Sequence, residues 1–279
     1  MTMTDRHSGG VKQKLRHVAA AVIAVLTIII LWALYDSEFH YPNSDAGRLA
    51  AVTAYIPDSD TGQKNSVSKE DPIHVIAWKT VEDRLFIFYG SENRANVHGI
   101  VQLVHGINGK YRLVNASMNP FPYTAGIYAE SMWVRGADSQ FVALAGEGLD
   151  AVRSFRVRYA GVEQDQPNAI YADRIYQVEE PDFLLVQEKD ALQRELGLTG
   201  MDLFSLSAED IRLYDQAGSD VTAQYEDPSV DRSWSGGKGT AEMGLLYVYM
   251  GIVAVFGGIL IRYFLISDDR NNKPTGGSL

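Results

Sequence analysis

The stretch Met243–Ile266, MGLLYVYMGIVAVFGGILIRYFLI, limits what the rest of the chain can be. From Gly244 to Ile261 it holds no charged side chain, and it closes on Arg262 and Tyr263. About 20 apolar residues at 1.5 Å per residue match the hydrocarbon thickness of a bilayer, so the stretch predicts a transmembrane helix. Gly244, Gly251 and Gly258 recur every seven residues, with Ala254 between the last two. Such a face of small residues predicts close approach by another helix backbone, which is how helices associate in lipid.

A second apolar run, Val18–Tyr35, is also uncharged and ends with Trp32 and Tyr35, residues suited to the membrane interface. Arg6, Lys12, Lys14 and Arg16 precede it against Asp5 alone. A cleavable signal peptide has a shorter apolar core and small residues at −3 and −1, which Ala33-Leu34-Tyr35 does not provide. An uncleaved signal anchor is therefore expected, with Ala20, Ala24 and Thr27 as its own small face for the glycine seam. The lipid bilayer is then a partner by construction, and association through the spans is expected with a protein partner or a second copy.

Charge sets the orientation. The basic N-terminal edge predicts a cytoplasmic N-terminus; two spans return the C-terminus to that side, where Arg262, Arg270 and Lys273 agree. Residues 36–242 then lie outside and carry 18 basic against 32 acidic side chains, a net of −14. No nucleic-acid partner is expected for so acidic a domain, because duplex binding rests on Lys and Arg neutralising phosphates.

The chain has no cysteine. That excludes disulfides, thiolate zinc sites, thiol nucleophiles and iron–sulfur ligation. An exterior domain of about 200 residues is large enough to be held by its core alone. The absence of disulfides leans the expectation towards a bacterial cell membrane.

The pattern along the chain divides it into a basic cytoplasmic tail (1–17), the first span (18–35), a connector with a short helix near Ser44–Val52 (36–72), a β-rich domain (73–226), a flexible tether (227–242), the second span (243–266) and a cytoplasmic tail (267–279). Within the domain, β-branched and aromatic runs predict strands at 73–78, 84–89, 100–105, 110–115, 141–145, 152–159, 170–178 and 183–187. A helix is expected at 188–196, stopping at Gly197, and a last hairpin over 211–225. Asn108-Gly109 suits a type I′ hairpin turn. Helical runs do not alternate with the strands, so the expected fold is α+β, mostly antiparallel sheet, between two transmembrane helices.

Local motifs exclude more than they assign. Gly-Gly-Lys-Gly-Thr at 236–240 lacks the leading glycine of a phosphate loop, since Arg232 stands there. Asp58-Ser59-Asp60-Thr61-Gly62 supplies too few oxygen ligands for a calcium loop and reads as a solvated loop. His40, His74, His98 and His105 show no metal-helix spacing; His98 and His105 are placed so that they could meet across a sheet. No nucleophile elbow appears, and no metal or cofactor is expected.

Two features point to ligand binding. Val152–Tyr159 as a strand puts Phe155, Val157 and Tyr159 on one face and Arg156 and Arg158 on the other, with Arg153 beside the apolar set. Arginines so placed suit a carboxylate or phosphate, or cross-strand pairing with Asp173, Glu179 or Glu180. Asn119–Tyr123, stiffened by Pro120 and Pro122, presents Phe121 and Tyr123 as an aromatic loop, either for binding or for covering the sheet end. The expected function is a membrane-anchored extracytoplasmic interaction protein, an accessory subunit of a membrane or envelope complex being one form of it. The alternatives are a tethered envelope hydrolase using carboxylates and a sensor signalling through its spans.

Overall fold

The structure, a computed structural model, describes residues 5–55, 72–92, 98–118, 121–123, 126–133, 140–162, 169–199, 202–204, 211–225, 238–239 and 243–266. They form two units, one of residues 1–40 with 242–279 and one of Tyr41–Ala241.

The first unit holds two long apolar helices, α1 (Asp5–Glu38) and α4 (Met243–Ile266). Within them Gln13–Glu38 and Leu245–Ile266 are long and apolar enough to cross a membrane. They flank the β-sheet region in the chain, and α1 continues through the basic segment expected as a separate tail. The less exposed stripe of α1 runs through Ala20, Ile23, Ala24, Thr27 and Leu31, and that of α4 through Leu246, Met250, Val253 and Gly257. Gly257 lies against Thr27, where an added Cβ would stand 2.5 Å from Oγ1. The Thr27 hydroxyl donates to the Ile23 carbonyl at 2.8 Å, so it packs without an orphaned donor.

The first helix of the second unit is α2 (Asp45–Tyr55), and its described residues form three antiparallel sheets. The first sheet joins β1 (Ile73–Val81), β2 (Arg84–Ser91), β3 (His98–His105), β4 (Tyr111–Met118) and the short β13 (Lys238–Gly239), in that order. The second has the order β10 (Phe183–Glu188), β7 (Gln140–Gly146), β6 (Ile127–Trp133), β5 (Phe121–Tyr123). In the third, β8 (Ser154–Val162) is central. Along one edge it pairs with β9 (Ile170–Gln177), and along the other with β11 (Asp202–Phe204) and β12 (Ile211–Tyr214).

Strand alternation stacks these sheets. Leu85, Ile87 and Tyr89 of β2 face Ala51 and Val52 of α2, while Phe86 and Phe88 face Phe141, Ala143 and Ala145 of β7. The alternate β7 residues Val142 and Leu144 join Phe155, Val157 and Tyr159 of β8 in the third core. Strand β2 is buried on both faces. The helix expected in a connector is thus part of the core, and the unit starts at Tyr41 rather than at Ile73. Similarly, the stretch expected as a flexible tether gives Lys238 and Gly239 to the edge of β4.

Turn chemistry explains two details. Gly109 alone is at positive φ (77°) in the β3–β4 connection, and its N–H donates to the Gly106 carbonyl at 3.1 Å. A type I′ turn needs positive φ at Asn108 as well, so the expected turn type is corrected. Helix α3 (Lys189–Leu196) ends on Gly197 at φ 71°, as its sequence suggests.

Residues 221–225 form a 3-10 turn at Thr222–Gln224 instead of a second hairpin strand. Thr222 is buried and its hydroxyl accepts from the Leu213 N–H at 2.9 Å, which closes the chain back on β12. Elsewhere, Gly99 on β3 lies beneath the fully buried Tyr89 ring, and any Cβ there would overlap that ring. Gly99→Ala is expected to cost about 3 kcal/mol in urea denaturation, because overpacking a tight core displaces its neighbours.

Candidate functional site

The arginine face forms on the outer side of the third sheet. Phe155, Val157 and Tyr159 are buried, and Arg156 and Arg158 take the opposite face of β8. Strand β9 places Asp173 opposite Arg158, whose Nε and Nη2 donate to its two oxygens at 2.8 and 3.2 Å. Arg156 Nη1 stands 3.6 Å from the same carboxylate. The hydrogen bond from Arg158 holds Asp173 below the usual carboxylate range, against the effect of burial. Cross-strand pairing therefore takes up Arg158. Arg153 lies outside the strand, in the exposed bend before it, and its backbone ties that bend to Tyr214 and Val178.

Sequence reading missed Arg212, because pairing between β12 and β8 is long-range. The register puts Arg212 directly opposite Arg156. Like charges so placed repel, and Arg156 Nε is buried with no hydrogen-bond partner among the described residues. Asp220 is nearby; hydrogen bonds from Thr222 lower its pKa first, with Arg212 and Arg156 adding to the effect. On the same outer face, Tyr171 and Ile175 of β9 are 61% and 62% exposed. Three arginines, two carboxylates and two large exposed side chains share one surface. It suits an anionic group flanked by apolar contacts.

The other expected ligand residues are not brought there. Phe121 and Tyr123 lie on β5, an edge strand of the second sheet, where Pro122 is tolerated because an edge position needs no N–H. Phe121–Tyr123 of the expected loop are therefore a strand, and Asn119 and Pro120 lie outside the described residues. In the helical unit, the glycine that meets α1 is Gly257. Gly251 and Gly258 face open space, and Ala254 is exposed. Gly244 begins α4. The small face of α1, with Ala20 buried and Ala24 half-buried, lies on its less exposed stripe. Asp58 and Asp60 lie outside the described residues.

A cluster that sequence spacing does not reveal lies between the first two sheets. His74, Gly90 and His98 stand in one cross-strand row over β1, β2 and β3. Gly90 has no side chain, and a Cβ there would press on His98. Glu147, just after β7, fills the gap: its Oε2 is 2.5 Å from His98 Nε2 and its Oε1 3.5 Å from His74 Nε2. His98 is 2% exposed and packs against the rings of Phe88 and Tyr128. His105, the other histidine of β3, sits an odd number of residues away, so it lies on the opposite face and the two do not meet. This is a hydrogen-bonded clasp. Among the described residues no group of three or more His, Cys, Asp or Glu side chains is arranged to hold a metal ion.

The Glu147 carboxyl is held below the usual range, chiefly by the His98 hydrogen bond, with burial opposing and His74 contributing. A depressed pKa stabilises the fold above the unfolded value near 4.5 and is lost as pH falls through the folded value. Glu147→Gln should thus lower stability by roughly 1 kcal/mol at neutral pH, discounted for partial exposure. In thermal melts the deficit should shrink below pH 4.5. Buried Tyr159 and Tyr176 share a hydrogen bond of 2.6 Å, and burial pushes both phenols up, so they stay neutral packing groups.

The chain matches no family model, none of the curated proteins and no solved structure.

Proposed function

We propose that the protein is a two-pass membrane protein with both termini in the cytoplasm, displaying residues 36–242 outside as an interaction domain. The observation that carries this reading is the outer face of the third sheet, where Arg156 and Arg212 oppose each other beside exposed Tyr171 and Ile175. An acidic region of a partner protein or an anionic envelope group answers that chemistry, because arginine forms strong charge-assisted bonds to carboxylate and phosphate. The glycine seam of α4 at Gly251 and Gly258 is turned away from α1, and a helix of a partner subunit or of a second copy is its expected occupant.

A photo-crosslinking side chain at position 171 or 175 of the full chain should give a discrete adduct in native membranes. The adduct should be lost when Arg156→Glu and Arg212→Glu are combined. An adduct that survives both charge reversals would remove the arginines from the reading. Orientation has its own test. Protease added to intact spheroplasts should digest the middle of the chain and leave tags at both ends protected, and a digested C-terminal tag would end the two-pass reading.

A further inference from the structure

On the side of the first sheet that faces the second, Arg84 of β2 and Arg112 of β4 flank Val104 of β3 in one cross-strand row. Gln102, two residues along β3, stands on the same face opposite Phe86. Arg84 is 9% exposed and Gln102 is fully buried. The guanidinium of Arg84 lies 5.5 Å from the centroid of the Phe141 ring, and its Nε is 3.7 Å from Asp83, too far for a hydrogen bond. Its Nε and Nη1, and both Nε2 and Oε1 of Gln102, are buried without a hydrogen-bond partner among the described residues.

Buried polar groups in folded proteins are almost always paired, and an orphaned charge is the most costly exception. A guanidinium only donates and stays protonated, so its missing partner must accept and is best negative. Among the described residues the Gln102 amide has neither an acceptor for its N–H nor a donor for its carbonyl oxygen. A group that satisfies all three needs has an anionic oxygen and a hydroxyl on one small frame.

We propose that Arg84 and Gln102, on the face of the first sheet turned towards the second, bind a small hydroxyl-bearing oxyanion, hydrogen phosphate or an α-hydroxycarboxylate. The anionic oxygen takes the Arg84 and Gln102 N–H groups, and the hydroxyl donates to Gln102 Oε1. This site is separate from the outer arginine face, which lies on the third sheet.

The test is thermal unfolding of the full chain in nanodiscs, at constant ionic strength, with chloride replaced stepwise by phosphate, lactate or acetate. A ligand that binds only the folded state raises Tm saturably. The expected result is a saturable rise of several degrees with phosphate or lactate and a smaller one with acetate. Gln102→Leu should abolish the rise. Gln102→Glu, which places a carboxylate beside Arg84, should raise Tm without added anion and remove the response. A Tm that ignores all three anions, or a rise that persists in Gln102→Leu, would overturn the site. Gln102→Glu as unstable as Gln102→Leu would do the same, leaving only water at the orphaned groups. A response to acetate equal to that for lactate would overturn the hydroxyl requirement.

Discussion

A chain trimmed to residues 73–225 should fail to unfold cooperatively and should aggregate, whereas residues 41–241 should give one sharp thermal transition. The trimmed chain keeps every large strand, but loses α2 and the backbone pairing of Tyr41 with Tyr111. Leu85, Ile87, Tyr89, Val101 and Leu103, all buried beneath α2, would then face water. Burying one large apolar side chain fully is worth about 1.5–3 kcal/mol. Uncovering even part of five such residues approaches the ~5–15 kcal/mol that holds a typical domain together. Circular dichroism and calorimetry on the two fragments decide it: equal melting temperatures would show that α2 is dispensable.

The second large effect is nearly all-or-none. Since the chain has no cysteine, paired substitutions report only on themselves. A Cβ at position 257 would stand 3.1 Å from Thr27 Cβ, close to the 3.5–4.5 Å spanned by a disulfide. Thr27→Cys with Gly257→Cys should oxidise to an intramolecular disulfide in membranes, while Thr27→Cys with Gly258→Cys should not. Efficient bridging by the second pair alone would mean that α4 is rotated by about one residue, roughly 100°. That outcome would return the seven-residue glycine seam to the α1 interface.

That pair of helices shows what sequence could and could not reveal. Length and lack of charge mark both apolar helices, and they are properties of the segments themselves. Which side of α4 meets α1 depends on facing residues far away in the chain, so regular spacing favoured Gly251 and Gly258 over the lone Gly257. The same division runs through the sheets. Strands β1 to β4 and β7 to β10 announce themselves by β-branched and aromatic runs. Strand β6 was missed because Glu130 and Ser131 interrupt its pattern. Strand β13, two residues long, has no pattern at all. For the candidate site, alternation along β8 separated Arg156 and Arg158 from the core. Arg212, and the row of His74, Gly90 and His98 around Glu147, required registers that only the folded chain sets.

Strand β4 receives backbone pairing from both ends of its unit. Tyr41, which follows α1 closely, exchanges two hydrogen bonds with Tyr111 at 3.1 and 2.7 Å. Lys238 and Gly239, shortly before α4, pair with Ala116 and Asn115 of the same strand. Tension transmitted along the chain from either helix therefore enters the domain at one strand and is borne there by ladder hydrogen bonds. The strain on β4 passes next to β3, its neighbour in the sheet, which carries His98 and Gln102. A pull on the chain at either end of the unit would be felt first at that pair of strands, and last at the edge strand β9, which hangs from a different sheet.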